Sequence, residues 1–199
     1  GLNSPLATEA LRLLLEQYRF DSVLDVGPGD GAHARKFRAA GKRVGVVDLA
    51  PPNWPDAGDF ETFVGDFCRV PIRGRWDCVW ASHVLEHSAE PQRFLARIHD
   101  VISPGGVVAV TVPPRKDEVV PEHLTLWTGG LLLYHLILAR FDCREARVRR
   151  YGYNISVITP YRPLVAAPKH WEEQRTFFPP GAVRGDGRVE GAIERLNWP

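Results

Sequence analysis

The sequence predicts an α/β fold: a doubly wound, mostly parallel sheet of seven strands that ends in a C-terminal antiparallel hairpin. Two observations favour this fold. Short apolar runs alternate with segments of helical spacing from residue 5 to about residue 158, and strands joined by helices form parallel sheets through right-handed crossovers. Acidic and glycine residues follow several of the apolar runs, which is typical of the sheet edge where ligands bind.

The first half of the chain alternates helix and strand patterns. Apolar residues at positions 11, 14, 15 and 18 recur at the spacing of an amphipathic helix. Gly41 is suited to end the second helix, because it tolerates the left-handed conformation there. Prolines at 51, 52 and 55 then impose a loop. The predicted elements are a helix over 11–18, a strand over 22–27, a helix over 30–40 and strands over 43–48, 62–64 and 76–81.

The second half continues the alternation and then turns to hairpin patterns. Pro91 is well placed to start a helix with one apolar face, and Thr128 is suited to cap another. The segment 104–106 (Pro-Gly-Gly) is expected to separate the first of these helices from the next strand. The predicted elements are a helix from 91 to 102, a strand over 107–112, a helix over 131–139, hairpin strands over 144–151 and 154–159, and a short helix near Ile193.

These elements indicate one folding unit with an irregular tail. A chain of 199 residues is long enough for one sheet covered by helices on both faces. Prolines and glycines become frequent from residue 160 onward. We therefore assign residues 1–160 to a ligand-binding domain and residues 161–199 to an irregular extension packed on the same domain.

Composition favours a protein of the cytoplasm that binds neither nucleic acid nor membranes. The formal net charge of +1 provides no general attraction to polyanions. No apolar stretch approaches the roughly 18 residues of a membrane span, and the N-terminus lacks the pattern of a signal peptide. The three cysteines are far apart and form no CxxC pair, as expected for reduced cysteines in the cytoplasm.

A glycine-rich turn follows the first predicted strand. Residues 25–31 read DVGPGDG, with the spacing G-x-G-x-G and with Asp25 two residues before the first glycine. Glycines allow a sharp turn and a close approach of the backbone to a ligand. Dinucleotide enzymes use G-x-G-x-x-G to bind a pyrophosphate, which an adjacent acid would repel. The acid favours a ligand that carries an ammonium group.

Acidic residues also end the next two predicted strands. Asp48 ends the second strand, where a carboxylate can accept hydrogen bonds from both hydroxyls of a ribose. Asp66 follows the third strand and is placed to meet an adenine amino group, with Phe67 available to stack on the ring. Together with the glycine turn, these positions predict a cofactor that contains adenosine.

The ordered set of motifs resembles the class I S-adenosylmethionine-dependent methyltransferases, particularly those that act on small molecules. The resemblance covers about residues 20–158 and implies a Rossmann-like fold. The matching segments are VLDVGPGDG, GVVD ending at Asp48, GDF at 65–67, WASHVLEH at 80–87 and LARIHDVISPGGVVAVTVP. It implies an enzyme that binds S-adenosylmethionine and transfers its methyl group to an oxygen or nitrogen of a small-molecule acceptor.

The resemblance also implies roles for individual residues of the cofactor site. Asp25, Gly27 and Gly29 would line the methionyl end of the cofactor, Asp48 would hold the ribose and Asp66 the adenine. Ser82 and His83 would lie beside the cofactor after the fourth strand. We include Pro28 and Leu49, which adjoin these residues, in the predicted site.

His87 and His123 are the candidate catalytic residues. Imidazole titrates near neutral pH and can accept a proton from an acceptor hydroxyl or ammonium group. His123 follows the fifth strand and a proline-rich loop, so it could lie over the methyl group. For both histidines, a structural role with a hydrogen bond to the backbone is the alternative.

Three other functions remain open from the sequence. Residues 83–87 spell H-x-x-E-H, which on a helix could bind zinc through His83 and His87 with Glu86 as the base of a hydrolase. The short connection after the fourth strand weighs against this helix, and we expect no metal. A nicotinamide-dependent oxidoreductase is disfavoured by the glycine spacing. The third alternative is a catalytically silent protein that binds the cofactor and serves as a partner, and the sequence makes no prediction of the oligomeric state.

Overall fold

One sheet of eight strands forms the centre of the computed structural model, which describes residues 6–199. Helices cover both faces of this sheet. The strands are β1 (Ser22–Val26), β2 (Arg43–Asp48), β3 (Glu61–Val64), β4 (Trp76–Ser82), β5 (Ile102–Val112), β6 (Arg147–Tyr151), β7 (Asn154–Pro160) and β8 (Arg195–Leu196). The α-helices are α1 (Thr8–Gln17), α2 (Ala32–Ala39), α3 (Pro91–Val101), α4 (Gly129–Leu138) and α5 (Trp171–Gln174).

The strand order is β3-β2-β1-β4-β5-β7-β6-β8. The first five strands pair in parallel, and β7 is antiparallel to both β5 and β6. The order reverses between β1 and β4, so the carboxyl ends of these strands border a crevice. The doubly wound, mostly parallel sheet with a C-terminal hairpin is therefore confirmed.

Two apolar clusters hold the helices on the two faces of the sheet. Strand side chains alternate between faces, so Val23 joins one cluster, and Leu24 and Val26 join the other. The first cluster contains Leu11 and Leu14 of α1 together with Phe37 of α2; the second contains apolar residues of α3 and α4. Burial of each large apolar side chain stabilises the fold by roughly 1.5–3 kcal/mol.

The C-terminal end of the sheet differs from the prediction. The expected seven strands are one too few, and the helix expected near Ile193 is wrong. The segment after Ile193 instead forms β8, in which Arg195 and Leu196 pair with Arg149 and Val148 of β6. Without β8, the edge of β6 would expose unpaired backbone groups, and pairing with the tail covers this edge.

Strand β5 begins earlier than the sequence predicts. It starts at Ile102, directly after α3, and includes the Pro-Gly-Gly segment that was expected to be a separating loop. Residues 103–106 bulge opposite Asp77, where the register with β4 shifts. A bulge accommodates a proline and a glycine with positive φ within a strand, and Gly105 has a φ of 74°.

The tail after β7 contacts both apolar clusters. Phe178, Ala182 and Ile193 belong to the cluster on the α3–α4 face, and Trp198 belongs to the cluster on the α1–α2 face. Among the helices of residues 6–199, none has the length and apolar character that a membrane crossing requires.

Candidate active site

A cavity of about 630 Å³ lies at the carboxyl edge of β1 to β4. The ends of parallel strands and the first residues of the loops that follow them form its walls, as expected at a switch point. Its lining includes Val26, Gly27, Gly29, Val47, Asp48, Leu49, Gly65, Asp66, Phe67, Cys68, His83, Val84, His87, Ser88, Phe94, Glu122 and Leu124.

The glycine turn forms one wall of this cavity. Gly27 and Gly29 have φ values of 71° and 56°, a backbone conformation that favours glycine. A Cβ atom on Gly27 would lie 2.8 Å from Cγ2 of Val84. Gly27 therefore allows the segment after β4 to approach the turn. Pro28 is buried between the two glycines.

The acids predicted at the ends of β2 and β3 both line the cavity. Asp48 Oδ1 accepts the backbone N–H of Leu49 at 2.7 Å, and Asp66 Oδ1 accepts the N–H of Cys68 at 2.9 Å. These bonds orient the two carboxylates, whose remaining lone pairs can accept further hydrogen bonds. Phe67 is buried beside Phe94, with 4.8 Å between the ring centroids, and forms an apolar wall.

Asp25 lies deeper than the other two acids. Its side chain is only 1% exposed, and its Oδ2 atom has no hydrogen-bond partner among the described residues. Burial and, as the smaller cause, the negative charge of Asp48 together raise the pKa of Asp25 to about 8. Among residues 6–199, Asp25 is not part of the cavity lining; it lies directly before the glycine turn.

The segment after β4 brings His83 into the cavity. His83 has a φ of 53°, unusual for a residue other than glycine and often found at functional sites. Its Nε2 atom lies 3.0 Å from Oδ1 of Asn154, and its ring stacks on Tyr153. Ser82, directly before it, is buried, and its Oγ has no partner among the described residues. Asn154, which positions His83, had no distinguishing signal in the sequence.

The geometry around Glu86 excludes the helical zinc-hydrolase arrangement. The helical part of the motif is one 3-10 turn, Leu85–His87, and His83 lies before this turn. His83 and His87 therefore do not share one face of an α-helix. Glu86 is fully buried between them, with Oε1 3.4 Å from Nδ1 of His83 and 3.9 Å from Nε2 of His87.

The structure brings His123 next to His87, with 5.1 Å between the ring centroids. Backbone N–H groups of Leu124 and Thr125 donate to the carbonyl oxygen of Glu86 at 2.8 and 3.3 Å, which holds the His123 loop against the turn. His87 lines the cavity, as do Glu122 and Leu124 on either side of His123. Of the two candidate catalytic histidines, His87 therefore lines the cavity, whereas His123 packs beside His87 and is not part of the lining among residues 6–199.

Sequence reasoning missed several residues of the cavity wall. Val84 lies within the HVLEH motif and Ser88 directly follows it, so both could have been included on adjacency alone. Phe94 was assigned only to the apolar face of a helix, and no signal distinguished it from core residues. Leu124 lies in an irregular loop whose path depends on contacts distant in sequence.

The family model and the curated relatives that match this chain are all methyltransferases. A family model described as "Methyltransferase domain" matches residues 2–155. Malonyl-[acyl-carrier protein] O-methyltransferase of Salmonella typhimurium is 31% identical over 126 residues, which are 61% of this chain and 49% of that protein. Trans-aconitate 2-methyltransferase of Delftia acidovorans is 23% identical over 172 residues, which are 83% of this chain and 61% of that protein.

A solved structure shares the fold. The Burkholderia thailandensis 1,6-didemethyltoxoflavin-N1-methyltransferase, with bound 1,6-didemethyltoxoflavin and S-adenosylhomocysteine, superposes with a TM-score of 0.64 at 21% identity. The match covers 78% of this chain and 76% of that one. The chain spans about half the length of the first curated relative, with 49% of that protein matched.

Proposed function

We propose that this chain, which belongs to the class I S-adenosylmethionine-dependent methyltransferase family, transfers a methyl group from S-adenosylmethionine to an oxygen or nitrogen atom of a small-molecule acceptor. One observation carries the proposal: the glycine turn and the acids that end β2 and β3 line the same cavity at the sheet's switch point. The family relationship suggests the cofactor, and the geometry suggests where it binds.

The residues of this cavity fit the cofactor. The Gly27–Gly29 turn allows close approach of a ligand to the backbone. Asp48 has free acceptor positions for the two ribose hydroxyls, and Asp66 is placed to accept from the adenine amino group. Phe67 provides an apolar wall for the adenine ring. Leu49 also lines the cavity, whereas Pro28 is buried within the glycine turn and is not part of the lining among residues 6–199.

The buried polar atoms next to the turn fit the opposite end of the cofactor. Oδ2 of Asp25 and Oγ of Ser82 lack partners among residues 6–199. Buried polar groups are nearly always hydrogen-bonded, so two such atoms in adjacent strands suggest that a polar ligand satisfies them. We assign them, with His83, to the charged methionyl end of the cofactor.

When bound, S-adenosylmethionine supplies a methyl group on a positively charged sulfur, which needs no further activation. The protein's task is to align the acceptor and exclude water. His87 lines the cavity, and His123 lies beside His87. We assign this part of the cavity as its acceptor end, where the two histidines contact the acceptor. Either imidazole can hold or accept a proton of the acceptor. The two relatives named above that specify an acceptor atom methylate oxygen and nitrogen, respectively.

We further propose a cytoplasmic location and no nucleic-acid partner. The three cysteines are all free in the structure, which is consistent with a reducing compartment. The formal net charge of +1 lacks the basic excess typical of proteins that bind polyanions.

Calorimetric titration with S-adenosylhomocysteine and, separately, with NAD tests the cofactor assignment. We expect saturable binding of the former only. Asp48→Asn keeps the size of the side chain but replaces one acceptor, and it should weaken binding by at least about 1 kcal/mol, or roughly fivefold in Kd. Asp59→Asn, at an exposed position paired with Arg38, is the matched control and should bind normally.

NAD binding in place of S-adenosylhomocysteine would overturn the cofactor assignment. Unchanged affinity in Asp48→Asn would remove Asp48 from the ribose site. Transfer of radiolabelled methyl groups to hydroxyl- and amine-bearing acceptors then separates an enzyme from a silent binding protein. Labelled product is the result that supports the enzyme.

A further inference from the structure

We propose that Glu86, His87 and His123 bind a divalent transition-metal cation at the acceptor end of the cavity. The one nitrogen or oxygen ligand atom offered by each of these side chains lies within 4.8 Å of the others. No sequence pattern predicts this set, because His123 lies far from the HVLEH motif and reaches it only through the fold. The proposal replaces the expectation that the site binds no metal.

Glu86 is a buried carboxylate without a hydrogen-bond partner among the described residues. Its side chain is only 1% exposed, and both carboxyl oxygens lack a partner within this part of the chain. A buried carboxylate without hydrogen bonds is costly, and such groups are ordinarily paired or coordinated to a metal. A cation between Glu86 and the histidines would coordinate this carboxylate and compensate its charge.

The imidazole of His87 is oriented toward Glu86 by a hydrogen bond to the backbone. Nδ1 of His87 lies 2.9 Å from the carbonyl oxygen of Glu122, so this nitrogen carries the hydrogen and donates. In the neutral ring, Nε2 is then left with a lone pair, 3.9 Å from Oε1 of Glu86. Histidines that bind metals usually donate their other N–H group to a carbonyl or carboxylate in this way.

His83 repeats the pattern on the other side of Glu86. Its Nε2 faces the acceptor Oδ1 of Asn154, so its Nδ1 lone pair faces Oε1 of Glu86 at 3.4 Å. The second nitrogen of His83 and that of His87 thus both face the carboxylate of Glu86, at 3.4 and 3.9 Å. A cation beside Glu86 matches this arrangement of one carboxylate between two imidazole nitrogens.

The third ligand, His123, lies in a loop that backbone hydrogen bonds hold in position. The loop after β5 is fixed to the Glu86 carbonyl through the N–H groups of Leu124 and Thr125. Glu122, directly before His123, has a φ of 68°, a strained conformation for glutamate. Ligand atoms around 2.0–2.2 Å from one ion are at most about 4.4 Å apart, so small side-chain rotations bring the three atoms to one ion.

The donor set indicates the class of metal. Two imidazole nitrogens and one carboxylate oxygen suit zinc, cobalt, iron or nickel, whereas magnesium and calcium prefer oxygen ligands. Three protein ligands leave at least one coordination position open, as in catalytic rather than structural sites.

The open coordination position on the metal indicates which chemical class of acceptor the site binds. Because His87 lines the cavity, we place the open coordination position on the cavity side of the ion. Metal ions lower the pKa of bound water, and they act in the same way on an alcohol or phenol, whose proton then passes to bulk water. This step rests on the proposed function and favours a hydroxyl acceptor; the two histidines then act as ligands rather than as bases.

The experiment uses the full chain, freed of metal with a chelator and titrated with Co²⁺. We expect one Co²⁺ per chain and the visible absorption of Co²⁺ bound by nitrogen and oxygen ligands. Glu86→Gln and His123→Gln should each weaken binding at least about tenfold. His170→Gln, at an exposed position in the tail, is the matched control and should bind normally.

S-adenosylhomocysteine binding is measured on the same samples, so that failure of the metal site and of the proposed function are distinguishable. Retained cofactor binding without saturable Co²⁺ binding overturns the metal site alone. Equal Co²⁺ affinity in wild type and His123→Gln, which replaces a partly exposed side chain and should fold, also overturns it. Saturable Co²⁺ binding without cofactor binding supports the metal site but contradicts the proposed function.

Discussion

At the residue scale, Asp25 differs from the other acids of the site because its carboxyl group is deeply buried. Its Oδ2 lacks a hydrogen-bond partner among residues 6–199, and burial raises its pKa to about 8. The group is therefore largely protonated in the folded protein at neutral pH. A cationic ligand would favour release of this proton, because an opposite charge stabilises the carboxylate. Asp25 can thus couple ligand binding to proton release.

This shift makes stability depend on pH in a defined direction. The pKa of about 8 in the folded protein exceeds the ordinary aspartate value of 3.8, so the folded protein binds one proton more than the unfolded chain between these two pH values. Stability from this group is fully present below pH 3.8 and is lost as pH rises toward about 8. The loss approaches about 1.4 kcal/mol per pH unit within that window.

Asp25→Asn removes this titration while retaining the size of the side chain. In urea unfolding without ligand, we expect the stability of the variant relative to wild type to rise between about pH 5 and about pH 8. Asp59→Asn, an exposed control, should show no such change. A constant difference between Asp25→Asn and wild type across this range would contradict the shifted pKa.

At the scale of elements, the turn from β1 to α2 depends on how closely the β4 segment approaches it. Gly27 and Gly29 both have positive φ, but only at Gly27 would an added Cβ meet a neighbour. The packing of two elements, rather than turn conformation alone, therefore requires glycine at position 27. Val84, the neighbour concerned, also lines the cavity.

Gly27→Ala and Gly29→Ala separate these two requirements. Both substitutions place alanine in the left-handed region, which costs roughly 1–2 kcal/mol. Gly27→Ala should destabilise the protein by about a further 1–3 kcal/mol, because its Cβ overpacks against Val84. Chemical unfolding without ligand measures both. Equal destabilisation of the two variants would show that the contact with Val84 does not constrain the turn.

Most elements were predictable from local patterns. Thr128 caps α4 as expected, with its side chain accepting the N–H of Leu131, and Gly41 follows α2 with a φ of 77°. Two features depend on partners distant in sequence. β8 exists because β6 has an edge to pair with, and the contact between Glu86 and His123 depends on a loop fixed by tertiary hydrogen bonds. The spacing of apolar residues along the sequence predicts neither β8 nor the contact between Glu86 and His123.

At the scale of the whole molecule, the tail after residue 160 is in contact with the core. Ile193 lies against Gly129 of α4, where an added Cβ would be 2.7 Å from the Ile193 carbonyl oxygen. Trp198 reaches the opposite face of the sheet. We therefore propose that residues 161–199 fold in one cooperative transition with the domain formed by residues 1–160.

Ile193→Ala tests this cooperativity. Ile193 is 6% exposed within a core cluster, and truncation of a buried isoleucine to alanine costs about 2–5 kcal/mol. If the tail and the domain unfold together, the midpoints of urea unfolding by far-UV circular dichroism and by tryptophan fluorescence should shift equally to lower denaturant. Val165→Ala, at a side chain that is 99% exposed, should shift neither midpoint. Two separated transitions in the Ile193 variant, with the second at the wild-type midpoint, would mean that the tail unfolds independently of the sheet.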